Sequence, residues 1–295
     1  MQTESRVSNK SILQWFLPYV LIASLQYQFT KDGLNYASPF VLMAIRYVFV
    51  GAMFYFIGGR KIPLDKDALL VAIFSSGSSI FWAIGLKYVS AGDSSVLSYT
   101  MPLFSIPIAF LVIREKISLR ELSGAIVGFF GVVVYSLTLN HGSQLFGALA
   151  TILGAIFWGV YSVYYRKLRF RASKPVLTTQ FLVGSIPCLV GAFLFPQFVF
   201  NTSLLIDLVY IIVFTGLVQF YLWNSLLRRG RVGQITTLAF AVPALTILVD
   251  YLRGLAVPTY ISILGALLMF LGIFISSWNK RSAIDTSPNN PPQLE

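Results

Sequence analysis

Residues 91–131 return 141 positions later as residues 232–272, and this repeat constrains the fold more than any other feature of the chain. Nine of the 41 aligned positions are identical without a gap, among them Gly92/Gly233, Pro102/Pro243, Gly124/Gly265 and Gly131/Gly272. Just upstream, Trp82 falls on Trp223 at the same offset. Gly and Pro govern the backbone, so their coincidence implies a shared backbone path. One half of the molecule is built like the other.

The medium in which the halves fold follows from composition. The chain is 56% hydrophobic and 11% charged, against about 25% charged in soluble domains. A bilayer core needs about 20 apolar residues per helix. Ten stretches qualify: 12–30, 39–57, 68–86, 94–113, 122–139, 145–165, 176–195, 208–227, 232–249 and 255–278. The expected fold is all-α and integral to the membrane, with ten transmembrane helices. Residues 1–11 read as a cytoplasmic N-terminus. The polar, Pro-rich residues 279–295 read as a disordered cytoplasmic tail. The net charge of +11 lies in short loops between apolar runs, which excludes nucleic acid as a partner. One cysteine, Cys188, allows no internal disulfide, and one histidine, His141, makes no metal centre. No cofactor is expected, and no enzyme activity.

Loop charges set the orientation, because short cytoplasmic loops are enriched in Lys and Arg. With the N-terminus inside, 18 of 22 Lys and Arg residues fall in inner segments; Lys31, Lys87 and Arg253 fall outside, and Arg46 lies within a span. Both termini are therefore expected in the cytoplasm, with the protein in the cytoplasmic (inner) membrane. Five helices per repeat is odd, so the second repeat, 145–278, must enter the membrane upside down relative to the first, 12–139. The loops agree. The inner Arg114-Glu115-Lys116 echoes as the uncharged outer Leu255-Ala256-Val257, and the outer 87–93 echoes as the inner 228–234 with three Arg. Two inverted five-helix repeats are a recurrent build in secondary transporters, with the solute site at the midplane between them.

The stretch KYVSAGDSSVLSYTMPLFSIPIAFLVIREKISLRELSGAIVGFFGVVV resembles an EamA-type repeat of the drug/metabolite transporter superfamily. The resemblance rests on the small residue and Gly opening the fourth helix, Pro102 within it, Glu115 after it, and Gly124 and Gly131 beyond. SPFVLMAIRYVFVGAMF, with its lone Arg46, fits the second helix of such a repeat; LWNSLLRRG and Pro243 fit the second copy. The resemblance implies a ten-helix carrier of small metabolites, often amino acids and often outward. It also implies a cavity lined by helices 1, 3, 4, 6, 8 and 9. The second copy departs from the pattern in having Ala256 where the Glu would stand, so that residue's role is expected to be absent there.

Helical spacing nominates the solute-binding residues. These are Gln28 on helix 1, Ser79 and Trp82 on helix 3, Tyr99 on helix 4, Trp158 and Tyr161 on helix 6, and Gln219 and Trp223 on helix 8. Amides and rings without buried acids suit a neutral or zwitterionic solute and suit a multivalent metal ion poorly. Pro102 and Pro243 each remove a helix hydrogen bond and read as paired hinges. Arg46, a charge inside a span, reads first as a structural tie to backbone carbonyls, with a counter-charge for a solute carboxylate as the alternative. Asp250, the best-placed acid, reads as an i,i+3 partner of Arg253. Gly124, Gly128 and Gly131 read as a helix-packing seam within the molecule. The expected function is a secondary transporter, exporter or facilitator, moving amino acids or similar small metabolites by alternating access. The alternatives are a drug or nucleotide-sugar carrier of the same fold, or a membrane protein without solute flux, such as a lipid scramblase or an assembly factor. The expected partners are a small-molecule substrate and membrane lipid, in a monomer or homodimer.

Overall fold

The computed structural model describes residues 9–137, 142–255 and 259–277. The expected disordered tail, most of the N-terminal segment, His141 and Ala256 lie outside the described residues. The rest is helical, apart from turns and one isolated antiparallel bridge between Ala37 and Phe198.

The helices are α1 (Asn9–Gly33), α2 (Pro39–Ile57), α3 (Lys66–Tyr88), α4 (Ala91–Ser98), α5 (Met101–Ile113), α6 (Leu119–Ser136) and α7 (Ser143–Lys167). They continue with α8 (Ser173–Leu194), α9 (Thr202–Val209), α10 (Phe220–Arg229), α11 (Val232–Leu238), α12 (Ala241–Leu252) and α13 (Tyr260–Ser277). A π-helical segment, Tyr210–Gln219, joins α9 to α10. Taking α4–α5, α9–α10 and α11–α12 as single spans, eight helices among the described residues are long and apolar enough to cross a membrane, and the Tyr260–Gly272 part of α13 is a shorter apolar helix. α1 is 25 residues long, but Gln14, Gln26, Gln28 and Lys31 dilute its apolar run, and it is not one of the eight. Exposed apolar side chains such as Leu17, Phe49, Leu111, Phe193 and Leu271 coat the outside of the bundle, as a lipid-facing surface requires.

Local sequence sets the helix starts. Ser38 caps α2 by accepting the Val41 N–H, with Pro39 in the first turn. Asp65 caps α3, and capping boxes Ser90/Asp93 and Ser118/Glu121 open α4 and α6. In the fourth span the interruption is Tyr99–Thr100, and in the ninth Ala239–Phe240. The sequence predicts bends centred on Pro102 and Pro243. In the structure each helix is broken upstream, and each proline lies in the first turn of the new segment, where a missing N–H costs nothing. Hydroxyls take carbonyls around the breaks: Ser98 bonds the Ser94 carbonyl, Thr100 that of Leu97, and Thr237 that of Gly233.

Packing repeats the inverted pattern. α2 lies on α8 and α6 on α13, pairing equivalent helices of the two halves. α3 packs along α7, and the equivalent span α9–α10 packs along α1. The α6–α13 contact is the glycine seam expected from sequence. A methyl on Gly131 would fall 2.6 Å from the Gly265 carbonyl oxygen, and one on Gly272 would fall 2.5 Å from that of Gly124. Only glycine permits this approach. Loops close the two ends in pairs. At one end Ser38 N–H donates to the Gln197 carbonyl and Val199 N–H to that of Tyr36. At the other, Lys167 pairs with Asp67 at 2.8 Å and Arg171 pairs with Asp65. The second end also holds Arg166, Arg228, Arg229 and Arg231, and is the Arg-rich end below.

Candidate functional site: a central cavity between the repeats

Between the two halves lies a cavity of about 60 Å³. Its lining comes from α1 (Tyr19, Gln26, Tyr27), α2 (Arg46), α3 (Ser78, Ser79, Trp82), the fourth-span break (Ser98, Tyr99, Met101), α7 (Gly154, Ala155, Trp158) and the eighth span (Gln219, Phe220). Gly154 lets α7 approach α3, since a methyl there would fall 2.9 Å from the Trp82 backbone nitrogen.

Rings form the walls. Trp82 meets Tyr27 edge-on at 5.4 Å, and Trp158 meets Phe220 at 5.4 Å. Tyr19 and Tyr99 bring their hydroxyls within 3.4 Å across the broken fourth span. Ser79 is occupied by Tyr47 at 2.8 Å, and that hydroxyl also bonds Ser75.

Arg46 is the only cation among the described lining residues, and it is 2% exposed. Its Nη2 donates to the Thr215 carbonyl at 3.2 Å, and its guanidinium lies 5.1 Å from the centre of the Phe220 ring. Thr215 belongs to the π-helical segment, a form that often marks a functional site. Among the described residues no carboxylate pairs with Arg46. The tie to a neighbouring carbonyl, expected from sequence, is present, and the same residue also faces the cavity.

Three groups on the lining are buried without a protein partner: Arg46 Nε–H, Trp82 Nε1–H and the Gln219 Oε1 acceptor. Buried polar groups are nearly always satisfied, so these two donors and one acceptor set this part of the lining apart. A second concavity, of about 950 Å³, lies at the Arg-rich end, lined by Lys61, Arg166, Arg169, Lys174, Arg228 and Arg229 among others. Two of its cations are already used. Arg166 donates to the Leu227 and Arg228 carbonyls, and Arg228 donates to the Arg171 carbonyl and Ser173. The central cavity is therefore the better-built site.

Of the residues nominated from sequence, Ser79, Trp82, Tyr99, Trp158 and Gln219 line this cavity together with Arg46. Gln28, Tyr161 and Trp223 do not. Gln28 donates to Asp250 and to the Thr246 carbonyl, each at 3.2 Å. Tyr161 donates to Asn224. Trp223 is fully buried, stacked on Tyr19 at 5.1 Å. Tyr19, Gln26, Tyr27 and Phe220 were not nominated; aromatic and amide character marks them, but nothing in the sequence says which side of their helices faces inward. The expected Asp250–Arg253 pair is corrected. Arg253 pairs with Asp32 at 2.9 Å, and Asp250, 2% exposed, accepts from Gln28 and from the Gly92 N–H.

Comparison with known proteins agrees with this architecture. The sequence profile of the EamA-like transporter family matches twice, over residues 10–137 and 145–278. An uncharacterized transporter of Acidianus ambivalens is 41% identical over 239 residues, covering 81% of this chain and 94% of its own. A probable amino-acid metabolite efflux pump of Escherichia coli is 23% identical, covering 89% and 93%. A solved crystal structure superposes with a TM-score of 0.74 at 22% identity over 92% of this chain and 98% of its own, a likeness of fold.

Proposed function

The chain belongs to the EamA-like transporter family, and from that premise we propose that it carries amino acids or closely similar small metabolites across the cytoplasmic membrane by alternating access, as an exporter or facilitator. Ten helices in two inverted repeats would form the carrier, with both termini in the cytoplasm. One observation carries the substrate class: Arg46 faces a ring-walled cavity with no carboxylate partner of its own, beside an open Trp82 donor and an open Gln219 acceptor. A carboxylate would accept from Arg46 and Trp82. An ammonium would donate to Gln219 and lie against the faces of Trp158 or Tyr27. The efflux pump of E. coli at 23% identity supports the same class.

The solute's binding energy would not be spent on chemistry. Among the described residues no group of His, Cys, Asp and Glu is placed to hold a metal ion. The residues instead bind and orient. Arg46 is held by Thr215 and Phe220, so it need not reorganise to meet an anion, and the breaks at Tyr99–Thr100 and Ala239–Phe240 give the fourth and ninth spans a place to flex. Pro102 and Pro243 would act as hinges by keeping each new segment's first turn free of an N–H obligation.

The test is counterflow. Purified protein in liposomes is loaded with unlabelled amino acids and offered each labelled one in turn. Saturable exchange is the expected result. No exchange with any amino acid, from protein shown to be folded, would overturn the substrate class.

A further inference from the structure

We infer that Asp250 and Glu115 are reciprocal gating residues: each brings a carboxylate to the start of the broken span in the opposite repeat, and release of one or the other sets which end of the cavity opens. The inference deepens the alternating-access reading and rests on it.

α4 and α11 begin at equivalent positions, Ala91 and Val232, 141 residues apart. Their first N–H groups have no partner within the helix and need one from elsewhere. At the end opposite the Arg-rich one, Asp250 Oδ2 accepts the Gly92 N–H at 2.7 Å while Oδ1 accepts from Gln28 at 3.2 Å. At the Arg-rich end, Glu115 Oε2 accepts the Val232 N–H at 3.0 Å. Beside it Arg231, the residue before α11, pairs with Glu121. Each contact joins one repeat to the other.

The surroundings match as well. A methyl on Gly92 would fall 3.0 Å from Asp250 Oδ2 and 3.6 Å from Ile247; one on Gly233 would fall 3.2 Å from Glu121 Oε2 and 3.2 Å from Ile106. Gly92 and Gly233 are repeat partners, and so are Ile106 and Ile247. At each end of the cavity a half-helix thus opens against carboxylates of the other repeat: Asp250 alone at Gly92, and Glu115 with Glu121 at Val232 and Gly233. In both, glycine leaves room for a carboxylate against the opening turn of a half-helix.

Ala256 occupies the register of Glu115 in the second repeat, which implied that the role of the glutamate was lost there. The structure assigns it to Asp250, six positions earlier and on the helix itself. A carboxylate on backbone N–H groups at the positive end of a helix is a charge-assisted contact. It holds each broken span to the other half, and the two contacts lie at opposite ends, so a rocking motion can lengthen one while keeping the other.

The experiment reads accessibility rather than transport. Ser98→Cys, in the cavity lining, is introduced with Cys188→Ala so that it is the sole thiol. A membrane-impermeant maleimide is applied to right-side-out and to inverted vesicles. Asp250→Ala is expected to speed labelling about fivefold or more from the Asp250 end, and Glu115→Ala likewise from the Arg-rich end. Unchanged rates in both, or acceleration from the same side in both, would overturn the inference. If Asp250→Ala does not accumulate as folded protein, Asp250→Asn replaces it. It keeps an acceptor for Gly92 but no charge, and a smaller acceleration from the same side is expected; an unchanged rate overturns the inference. Failed counterflow with shifted labelling would refute the transport reading and leave the gating contacts standing. Intact counterflow with unshifted labelling would do the reverse.

Discussion

At the scale of single residues, Arg46 is both tied to its neighbours and the cation we propose to bind the solute. Nη2 and the guanidinium face are held by Thr215 and Phe220, and Nε is buried without a protein partner. Lysine retains the charge but not the planar fork. Arg46→Lys is therefore expected to raise KM for a carboxylate-bearing solute about tenfold while folded yield stays near that of the parent. The decarboxylated amine of the same solute should lose nothing; counterflow of the two compared side by side checks this, and equal losses would remove Arg46 from carboxylate binding. The two repeat-related tryptophans should separate. Trp82→Ala is expected to impair counterflow, because the ring lines the cavity, and to cost stability as well, since the ring is only 8% exposed. Trp223→Ala, fully buried against Tyr19, should destabilise by about 3–5 kcal/mol, read as a lowered thermal transition in detergent. The sequence made these two residues look alike because the repeat aligns them. Their difference lies in which ring each meets, and that depends on helix rotation. The same limit explains Gln28. Successive helical residues differ by about 100° in direction, so Tyr27 faces the cavity while Gln28 turns to Asp250. α1 turns Leu13, Leu17 and Leu21 to the outside, so its exposed face is apolar and polarity does not mark its inner side.

Helix starts were far more legible than helix faces. Ser38-Pro39, Asp65, Ser90/Asp93 and Ser118/Glu121 carry their own capping chemistry in sequence and stand where helices begin. The repeated prolines likewise announced that the fourth and ninth spans are irregular. What they did not announce is that the breaks precede them, because the hydroxyls satisfying the freed carbonyls are scattered on both sides. The π-helical stretch before α10 has no signal that could be read in advance; within it the Thr215 carbonyl accepts from Arg46 of α2. Asp65 offers a test of one helix start. It caps α3 and pairs with Arg171 across the Arg-rich end. Burial is the largest single influence and raises the pKa of its carboxyl, but Arg171 and the Ala68 N–H together outweigh it and hold the group below the usual carboxylate value. A lowered folded-state pKa gives stability that is present above the unfolded value, near 4, and lost as pH falls through the folded one. Asp65→Ala is expected to cost about 1 kcal/mol at neutral pH, and Asp65→Asn, which keeps the cap, less. The gap between parent and Asp65→Asn should close on acidification below about pH 4. A gap independent of pH would show that the ion pair contributes nothing.

For the whole molecule, the inverted repeat makes a demand that no single helix makes: the loop after the second span and the loop after the sixth must share a side, although they belong to different halves. The structure meets it through Lys167–Asp67 and Arg171–Asp65. The same demand puts the loops after the first and seventh spans together, as Ala37 and Phe198 are. The bundle thus fixes which loops are neighbours, and the charge bias supplies the remaining choice of which end faces the cytoplasm. Arg-rich segments resist translocation, so the end holding Arg166, Arg169, Arg171, Arg228, Arg229 and Arg231 should be cytoplasmic. Lys61→Cys and Phe170→Cys at that end, and Val199→Cys and Leu255→Cys at the other, each in the Cys188→Ala chain, make the assignment measurable. An impermeant maleimide added to intact cells is expected to label the second pair and leave the first untouched until the membrane is broken. The reverse pattern would keep the fold and invert its orientation, and with it the direction assigned to each gating carboxylate. Labelling of Lys61→Cys and Phe170→Cys from opposite sides would be more serious, because it would separate loops that an odd number of spans per repeat must bring together.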